Sequence, residues 1–465
     1  MPPHKMRLER DSMGELEVPA QAYYGGNTRR AELNFPISNL RLGRSFIKAI
    51  GQIKQSAAFA NLDLGAIESD IAQAIIASAG RVIEGEFDDQ FVVDVFQTGS
   101  GTSTNMNANE VISNVAIESL GGTIGSRTPV HPNDHVNKGQ SSNDVFPSAI
   151  HLAAAVSIKD NLIPALQELE NSLREKSKEF WGIVKTGRTH LQDATPIRLG
   201  QEFLGYAGQM ELGGKRAEKA LAELSVLALG GTAVGTGIGM HPEFSSRVIT
   251  RLGELTELNL SESTNHFQAQ STLDAVVSAS GELKSVAVGM LKISNDLRWL
   301  GSGPRAGIGE ITLPEVQPGS SIMPGKVNPV IAESVAMVSA QVIGNDTTIT
   351  IAGQSGNFEL NVMMPVAAHN ILESIELLAT SAKNLARQCI NGLTATDKGP
   401  EMVMEGLAIC TALAPIIGYD AAAAIAHEAS QNGETIKEVA LRVSDLTSDQ
   451  LDEILDPLSM TEPNE

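Results

Sequence analysis

Long stretches of helical periodicity constrain this chain more than any other feature. Ile150, Ala154, Ile158, Leu162, Leu166, Leu169 and Leu173 recur three or four residues apart, which places them on one face of a long helix. Pro147 is tolerable near its start, whereas Pro164 removes a backbone hydrogen bond and should kink it. Four further long patterns lie near 196–229, 263–300, 328–352 and 359–391. In the last, Met364, Ala368, Ile371, Ile375, Leu378, Ala382 and Leu385 follow a seven-residue rhythm that favours left-handed supercoiled packing. At 1.5 Å per residue such helices run roughly 40–55 Å. Helices that long rarely bury a whole apolar stripe inside one subunit. A bundle completed by other subunits is therefore expected, against the alternative of a monomeric bundle with solvated arms.

The reading is a mainly α chain in three parts. Residues 1–139 mix short helical patterns with Gly, Pro and Asn punctuation, 140–394 hold the five long helices, and 395–465 read as a small helical domain. The tail after Pro457 is polar and expected to fray. No repeat of solenoid length occurs.

Composition narrows the function classes. Lys and Arg total 34 against 55 Asp and Glu, a net charge of −21 that argues against a general nucleic-acid binder. Aromatics are only 4 %, so the core must be aliphatic. Cys389 and Cys410 make no disulfide framework and no zinc spacing. The first residues, MPPHKMRLERDS, lack an apolar signal region, and the uncharged stretch 224–240 is too broken by glycines to span a membrane. A cytoplasmic location is the expectation, and no nucleic-acid or membrane partner is indicated.

Four segments look unlike scaffold. TGSGTSTNMNANE at 98–110 packs hydroxyls, amides and glycines, suiting either an anion nest or a polar cap on a helix starting near Asn107. HPNDHVNKGQSSN at 131–143 places His131 and His135 four apart, but Pro132, Asn133 and Asp134 favour a turn over a metal-binding helix face. Its Ser141, Ser142 and Asn143 precede the first long helix, where donors meet a positive helix end. KTGRTHLQD at 185–193 offers His190 as a general acid or base beside Arg188 and Thr189. GSSIMPGKVNP at 319–329 fits neither a phosphate loop, since Val327 stands where Ser or Thr should hold magnesium, nor a hydrolase elbow. It reads as a loop that closes over a ligand, or as a flexible connection between helices.

Together these segments resemble the aspartase/fumarase superfamily, whose signature is the GSSxMPxKxNP loop. The similarity covers about residues 10 to 430. HPNDHVN, SSND and GRTH resemble the class II fumarase family, and His190 and Gly325 both favour it over aspartase. Gly139 departs from the pattern, since that family usually carries Ser there.

The resemblance implies a superfamily fold assembled as a homotetramer around a larger helical bundle, with each site drawn from several subunits. It implies reversible hydration of fumarate to (S)-malate in the tricarboxylic acid cycle, through an aci-carboxylate and without metal or organic cofactor. Within it, Ser320 is the base, Lys326 and loop N–H groups stabilise its alkoxide, and His190 handles the leaving hydroxyl with Glu333 orienting it. Ser100, Thr102, Ser141, Ser142, Asn143, Thr189, Arg305, Ser321, Lys326 and Asn328 hold the dicarboxylate, and His131, Asn133 and Asp134 form a second anion site. Residues 98–109, 131–144, 185–193 and 319–329 carry Lys138, Lys185, Arg188 and Lys326 against Asp134, Asp144 and Asp193, a balance of +1 that suits a dianion. Aspartate ammonia-lyase is the alternative within the same chemistry, and a non-catalytic helical scaffold the alternative outside it.

Overall fold

The computed structural model describes residues 5–463 apart from Ser12. The five expected long helices are present. Ser142–Glu179 is one continuous helical run, and Leu199–Leu224, Asp274–Leu300, Val330–Gly353 and Met364–Leu385 are the other four. The disturbance expected at Pro164 takes the form of a π turn over Ile158–Leu162, in which Ile163 N–H bonds back to the Ile158 carbonyl. A proline cannot donate, so the ladder adjusts just ahead of it. The run Ser142–Glu179 is long and apolar enough to cross a bilayer by length and composition. Its Val145, Phe146, Ile150, Leu152 and Ile158 are buried against protein, as in a core helix.

The chain divides into two compact units, whose boundaries fall within the long helices. The first comprises residues 1–164, 215–287 and 340–379. It opens with an antiparallel hairpin, Met6–Asp11 with Gly14–Pro19, in which Leu8 faces Glu17. Helices Arg44–Asp63 and Ser69–Ile83 pack face to face through Ile50, Ile53, Ala57, Ile75, Ala79 and Val82. Asp346 of Val330–Gly353 receives Ser280 Oγ at 2.8 Å and Lys284 Nζ at 2.6 Å from Asp274–Leu300. Gly353 lies so close to Val277 that a Cβ there would come within 2.7 Å of its methyl. A small residue at this position thus allows the two helices to approach closely.

Glu110, which ends the first polar segment, turns out to hold the fold together. Its buried carboxylate accepts N–H bonds from Gly25, Asn27 and Thr28 at 2.9–3.0 Å. These are orphan donors of helix Gly26–Asn34, which has no side-chain cap of its own.

The second unit comprises residues 165–214, 288–339 and 380–465. Strands Val184–Thr189 and Gln192–Arg198 pair as a hairpin with a bulge at Thr186 and Gly187. Behind it Phe180, Phe203 and Tyr206 stack edge to face, with ring centroids 5.3 and 5.5 Å apart. The C-terminal helices Tyr419–Asn432, Ile436–Val443 and Ser448–Ile454 close over Ile409, Leu413, Ile425, Val439 and Leu451. Thr435 with Glu438 and Thr447 with Gln450 form capping boxes at the last two.

The expectation of a frayed tail is corrected. Pro457–Thr461 forms a 3-10 turn, Arg198 pairs with Glu462 at 2.9 Å, and Gln201 Nε2 donates to the Thr461 carbonyl at 2.9 Å. A polar tail finds order here because Arg198, ending strand Gln192–Arg198, supplies the matching charge and Gln201, in helix Leu199–Leu224, the donor.

Candidate active site

In the first unit the polar segments become helix N-termini. Helix Thr102–Ser119 starts five residues before the expected Asn107. The reason is Gly101, whose φ of +72° turns the chain into the helix and whose missing side chain admits Phe146. Gly101 has no side chain to cap this end, and Gln97 Oε1 accepts the Thr104 N–H at 3.0 Å, which leaves the N–H groups of Thr102 and Ser103 without a side-chain acceptor at a positive helix end suited to an anion. Ser100 Oγ and Thr102 Oγ1 lie 2.8 Å apart on its rim.

Ser141 caps the first long helix. Its hydroxyl accepts Asn143 N–H at 3.2 Å while Asp144 accepts Ser141 N–H at 2.9 Å, completing a capping box. Ser142 Oγ receives Asn105 Nδ2 at 3.0 Å, and Asn143 Nδ2 donates to the Ala233 carbonyl at 2.7 Å. Ser141, Ser142 and Asn143 are half-buried and so remain reachable.

Beneath them lies a polar network that the sequence reading missed. Asp144 is fully buried, and its second oxygen accepts the N–H groups of Gly230 at 3.1 Å and Thr232 at 2.9 Å. Burial pushes its carboxyl above the usual range despite those three backbone donors. Lys54 is also fully buried, and its Nζ donates to Asn137 Oδ1 at 2.9 Å and Gln140 Oε1 at 3.0 Å. Burial brings the Lys54 amine down to about 7, with only the Asp144 charge pulling it up. A signal was present: Ile47, Ile50, Lys54, Ala57 and Asn61 share one helical face, and a lysine at a core position of such a pattern is exceptional.

His131 also caps its own turn. Nδ1 accepts Asn133 and Asp134 N–H at 3.2 Å each, and His131 N–H donates to His135 Nδ1 at 2.9 Å. The Nδ1 bonds assign the proton to Nε2, which leaves an outward donor. Where the sequence suggested a plain turn, Pro132–Val136 forms one π-helical turn capped by His131, and His135 N–H donates to the His131 carbonyl at 3.1 Å. Among the described residues no group of three or more His, Cys, Asp or Glu side chains is placed to hold a metal ion.

In the second unit His190 occupies the tip of the strand hairpin. Thr189 and Gln192 are the last paired residues, and His190 and Leu191 between them have φ of +56° and +59°. Both therefore sit in the left-handed region of a two-residue primed turn, a conformation costing non-glycine residues about 1–2 kcal/mol each. Thr189 and His190 are exposed, so the imidazole stands clear of the sheet. The hairpin stem is fixed by buried charges. Glu310 takes a bidentate pair from Arg188 at 2.7 and 3.1 Å and meets Lys185 Nζ at 3.1 Å, and Lys185 also reaches Glu202 at 2.8 Å. Burial works against the Arg188 charge, but Glu310 beside it more than offsets this and holds the guanidinium above its ordinary value. Burial pushes the Glu202 carboxyl up, against the pull of Lys185.

The loop at 319–329 folds back on itself. A Cβ at Gly319 would lie 1.6 Å from the Lys326 carbonyl oxygen, so only glycine permits that crossing. Ser320 Oγ accepts two backbone N–H groups, from Met323 at 3.0 Å and Ile322 at 3.3 Å. Lys326 Nζ bonds Asn328 Oδ1 at 2.6 Å, and Asn328 Nδ2 donates to the Gly319 carbonyl. The loop N–H groups thus meet Ser320, while the Lys326 ammonium bonds Asn328. Ser321 and Arg305 are exposed, Arg305 on the loop after Gly303-Pro304. Glu333 lies in the first turn of Val330–Gly353, and no hydrogen bond joins it to His190 among the described residues.

Two family descriptions match the chain: "Lyase" over residues 14–344 and "Fumarase C C-terminus" over 409–462. It is 50% identical over 470 residues to "Fumarate hydratase class II" of Methylorubrum extorquens, with 100% of each chain covered. It is 48% identical to "Fumarate hydratase, mitochondrial" of Homo sapiens, over 99% of this chain and 91% of that one. Among solved structures, recombinant class II fumarase from Schistosoma mansoni superposes with a TM-score of 0.97 at 38% identity, covering 99% of this chain and 100% of that chain. Fumarate lyase:delta crystallin from Brucella melitensis, bound to cobalt, gives 0.95 at 44% identity, covering 99% and 100%. The chain belongs to the class II fumarase family.

Proposed function

We propose that this chain hydrates fumarate reversibly to (S)-malate, a lyase reaction of the tricarboxylic acid cycle. Full-length kinship with fumarate hydratases supports the activity, and none of the relatives named supports the aspartate ammonia-lyase alternative. The observation that carries the chemistry is Ser320 Oγ beneath two backbone N–H groups, since donors aimed at an oxygen favour its charged form.

In the malate-to-fumarate direction, the Ser320 alkoxide takes the C3 proton. The electron pair moves into the adjacent carboxylate, forming the doubly charged aci-carboxylate. The C2–O bond then breaks as a proton passes from the His190 side to the departing hydroxide, so fumarate and water leave. Thr102, Ser141 and Asn143 at the two helix N-termini, with Ser100 and Ser142, bind one part of the dianion. Thr189, Arg305, Ser321, Lys326 and Asn328 supply the rest. Losing one well-placed donor to such a charge costs about 3–4 kcal/mol of barrier. His131, Asn133 and Asp134 form a second anion site through the outward Nε2 of His131.

The enzyme is a cytoplasmic homotetramer whose sites combine residues of several subunits. Two observations support this reading. Leu212, Val288, Trp299, Met337 and Ile351 on the long helices are exposed, each 50% or more. Ser320, His190 and Glu333 also make no hydrogen bonds with one another among the described residues. Ultraviolet absorbance of fumarate tests the activity, with malate and aspartate offered separately. Product from malate is expected; product from aspartate alone would overturn the reading. Mixing Ser320→Ala and His190→Asn subunits tests the sharing, because hybrids must then regain activity.

A further inference from the structure

A lysine sealed in a protein core needs a reason. An apolar side chain of similar volume would pack in the Lys54 site at least as well, because taking an amine out of water is unfavourable unless it organises something. What it organises is the turn at 137–140. Its two acceptors, Asn137 Oδ1 and Gln140 Oε1, bracket that turn. The turn is closed by Gln140 N–H to the Asn137 carbonyl at 3.1 Å and by Asn137 Nδ2 to the Gln140 carbonyl at 3.1 Å. Asn61, on the same helix face as Lys54, donates to the Lys138 carbonyl at 3.1 Å. Gly139, with φ of +74°, supplies the left-handed step. Immediately after this turn come Ser141 and Asn143.

The same acceptor joins a second helix to the turn. Asn137 Oδ1 also receives Asn105 and Asn109 Nδ2 at 3.2 Å each, and Asn105 continues to Ser142 Oγ. From the other side Asp144 ties Ser141 to the backbone of Gly230 and Thr232. The turn leading into Ser141 and Asn143 is thus fixed largely by buried polar groups: Lys54 and Asn61 join helix Arg44–Asp63 to it, and Asp144 ties Ser141 to the next connection, while Asn143 Nδ2 is held by the Ala233 carbonyl.

We infer that Lys54 is a positioning residue for substrate binding, holding the 137–140 turn so that Ser141 and Asn143 meet the dicarboxylate in a preset geometry. The inference rests on the hydratase reading and adds to it a residue that touches no substrate. Preset donors lower the reorganisation needed on binding, so their loss weakens binding more than the chemical step.

The test is Lys54→Met, which keeps the stem and removes the donors. Malate turnover by the unmodified protein is the control for the hydratase reading, so failure of that reading shows in a different sample. With circular dichroism unchanged, the variant should raise KM for malate about tenfold while kcat stays within about threefold. An unchanged KM, with or without a fall in kcat, overturns the inference, since a merely structural role lowers the active fraction and leaves KM alone. Gln140→Leu removes one acceptor from the half-buried side of the turn. It should raise KM about threefold by the same mechanism, and it decides the matter if Lys54→Met does not fold.

Discussion

The turn and helix start at 137–144 and the loop at 319–329 both present small polar side chains, yet they are held by different means. The first is anchored from outside itself: Lys54, Asn61, Asn105, Asn109, Gly230 and Thr232 all reach into it from other elements. The second is held by its own atoms, with Ser320 bonded to residues two and three ahead and Lys326 to Asn328. A segment with outside anchors keeps its geometry before substrate arrives. A segment bonded only to itself can move as a unit, which suits a flap bringing a base to bound substrate.

The largest effect that would sharpen this contrast is catalytic. Ser320→Ala should lower kcat about a thousandfold with KM for malate nearly unchanged, read in steady-state assays. A kcat within tenfold of the parent would remove the base from the loop. Next comes a pair of glycines with similar φ. At Gly101, φ +72°, a Cβ would lie 2.1 Å from the Phe146 ring, so Gly101→Ala should cost about 2–4 kcal/mol in chemical denaturation.

A pH effect follows in size. Lys54 stands at about 7 when folded against its ordinary 10.5, so between these values the unfolded chain holds more protons. Stability from this group is lowest below 7 and rises with pH up to about 10.5, by at most ~1.4 kcal/mol per pH unit. The stability advantage of Lys54→Met over the parent, followed by thermal melts, should shrink as pH rises through this window; a constant difference would mean the amine does not titrate there. The smallest effect belongs to Gly325, φ +77°, where nothing lies within 4 Å of an added Cβ. Gly325→Ala should cost about 1 kcal/mol or less, from backbone strain alone. A cost equal to that at Gly101 would mean that the 319–329 loop is as tightly packed around Gly325 as the start of helix Thr102–Ser119 is around Gly101.

The sequence showed the long helices well because their apolar spacing is a local property, repeated over many turns. Ile150 to Leu173 and Met364 to Leu385 needed no tertiary knowledge to be placed. The start of the helix at Thr102 was missed because a left-handed Gly101 beside Phe146 is a tertiary accommodation. Motif resemblance named the candidate side chains, yet gave no sign that Glu110 serves a distant helix end or that Asp144 receives three backbone donors. Partners of buried polar groups come from far along the chain, and periodicity carries no information about them.

The fastening of residues 461 and 462 to Arg198 and Gln201 carries a practical consequence. Arg198 is the foot of the hairpin whose tip bears His190, and Gln201 lies just beyond it in helix Leu199–Leu224. Proteolytic trimming of the last turn would loosen that foot and show up as lost turnover, so a preparation nicked in storage would mimic damage to the imidazole itself. Intact mass should therefore be checked before any fall in activity is blamed on a mutation.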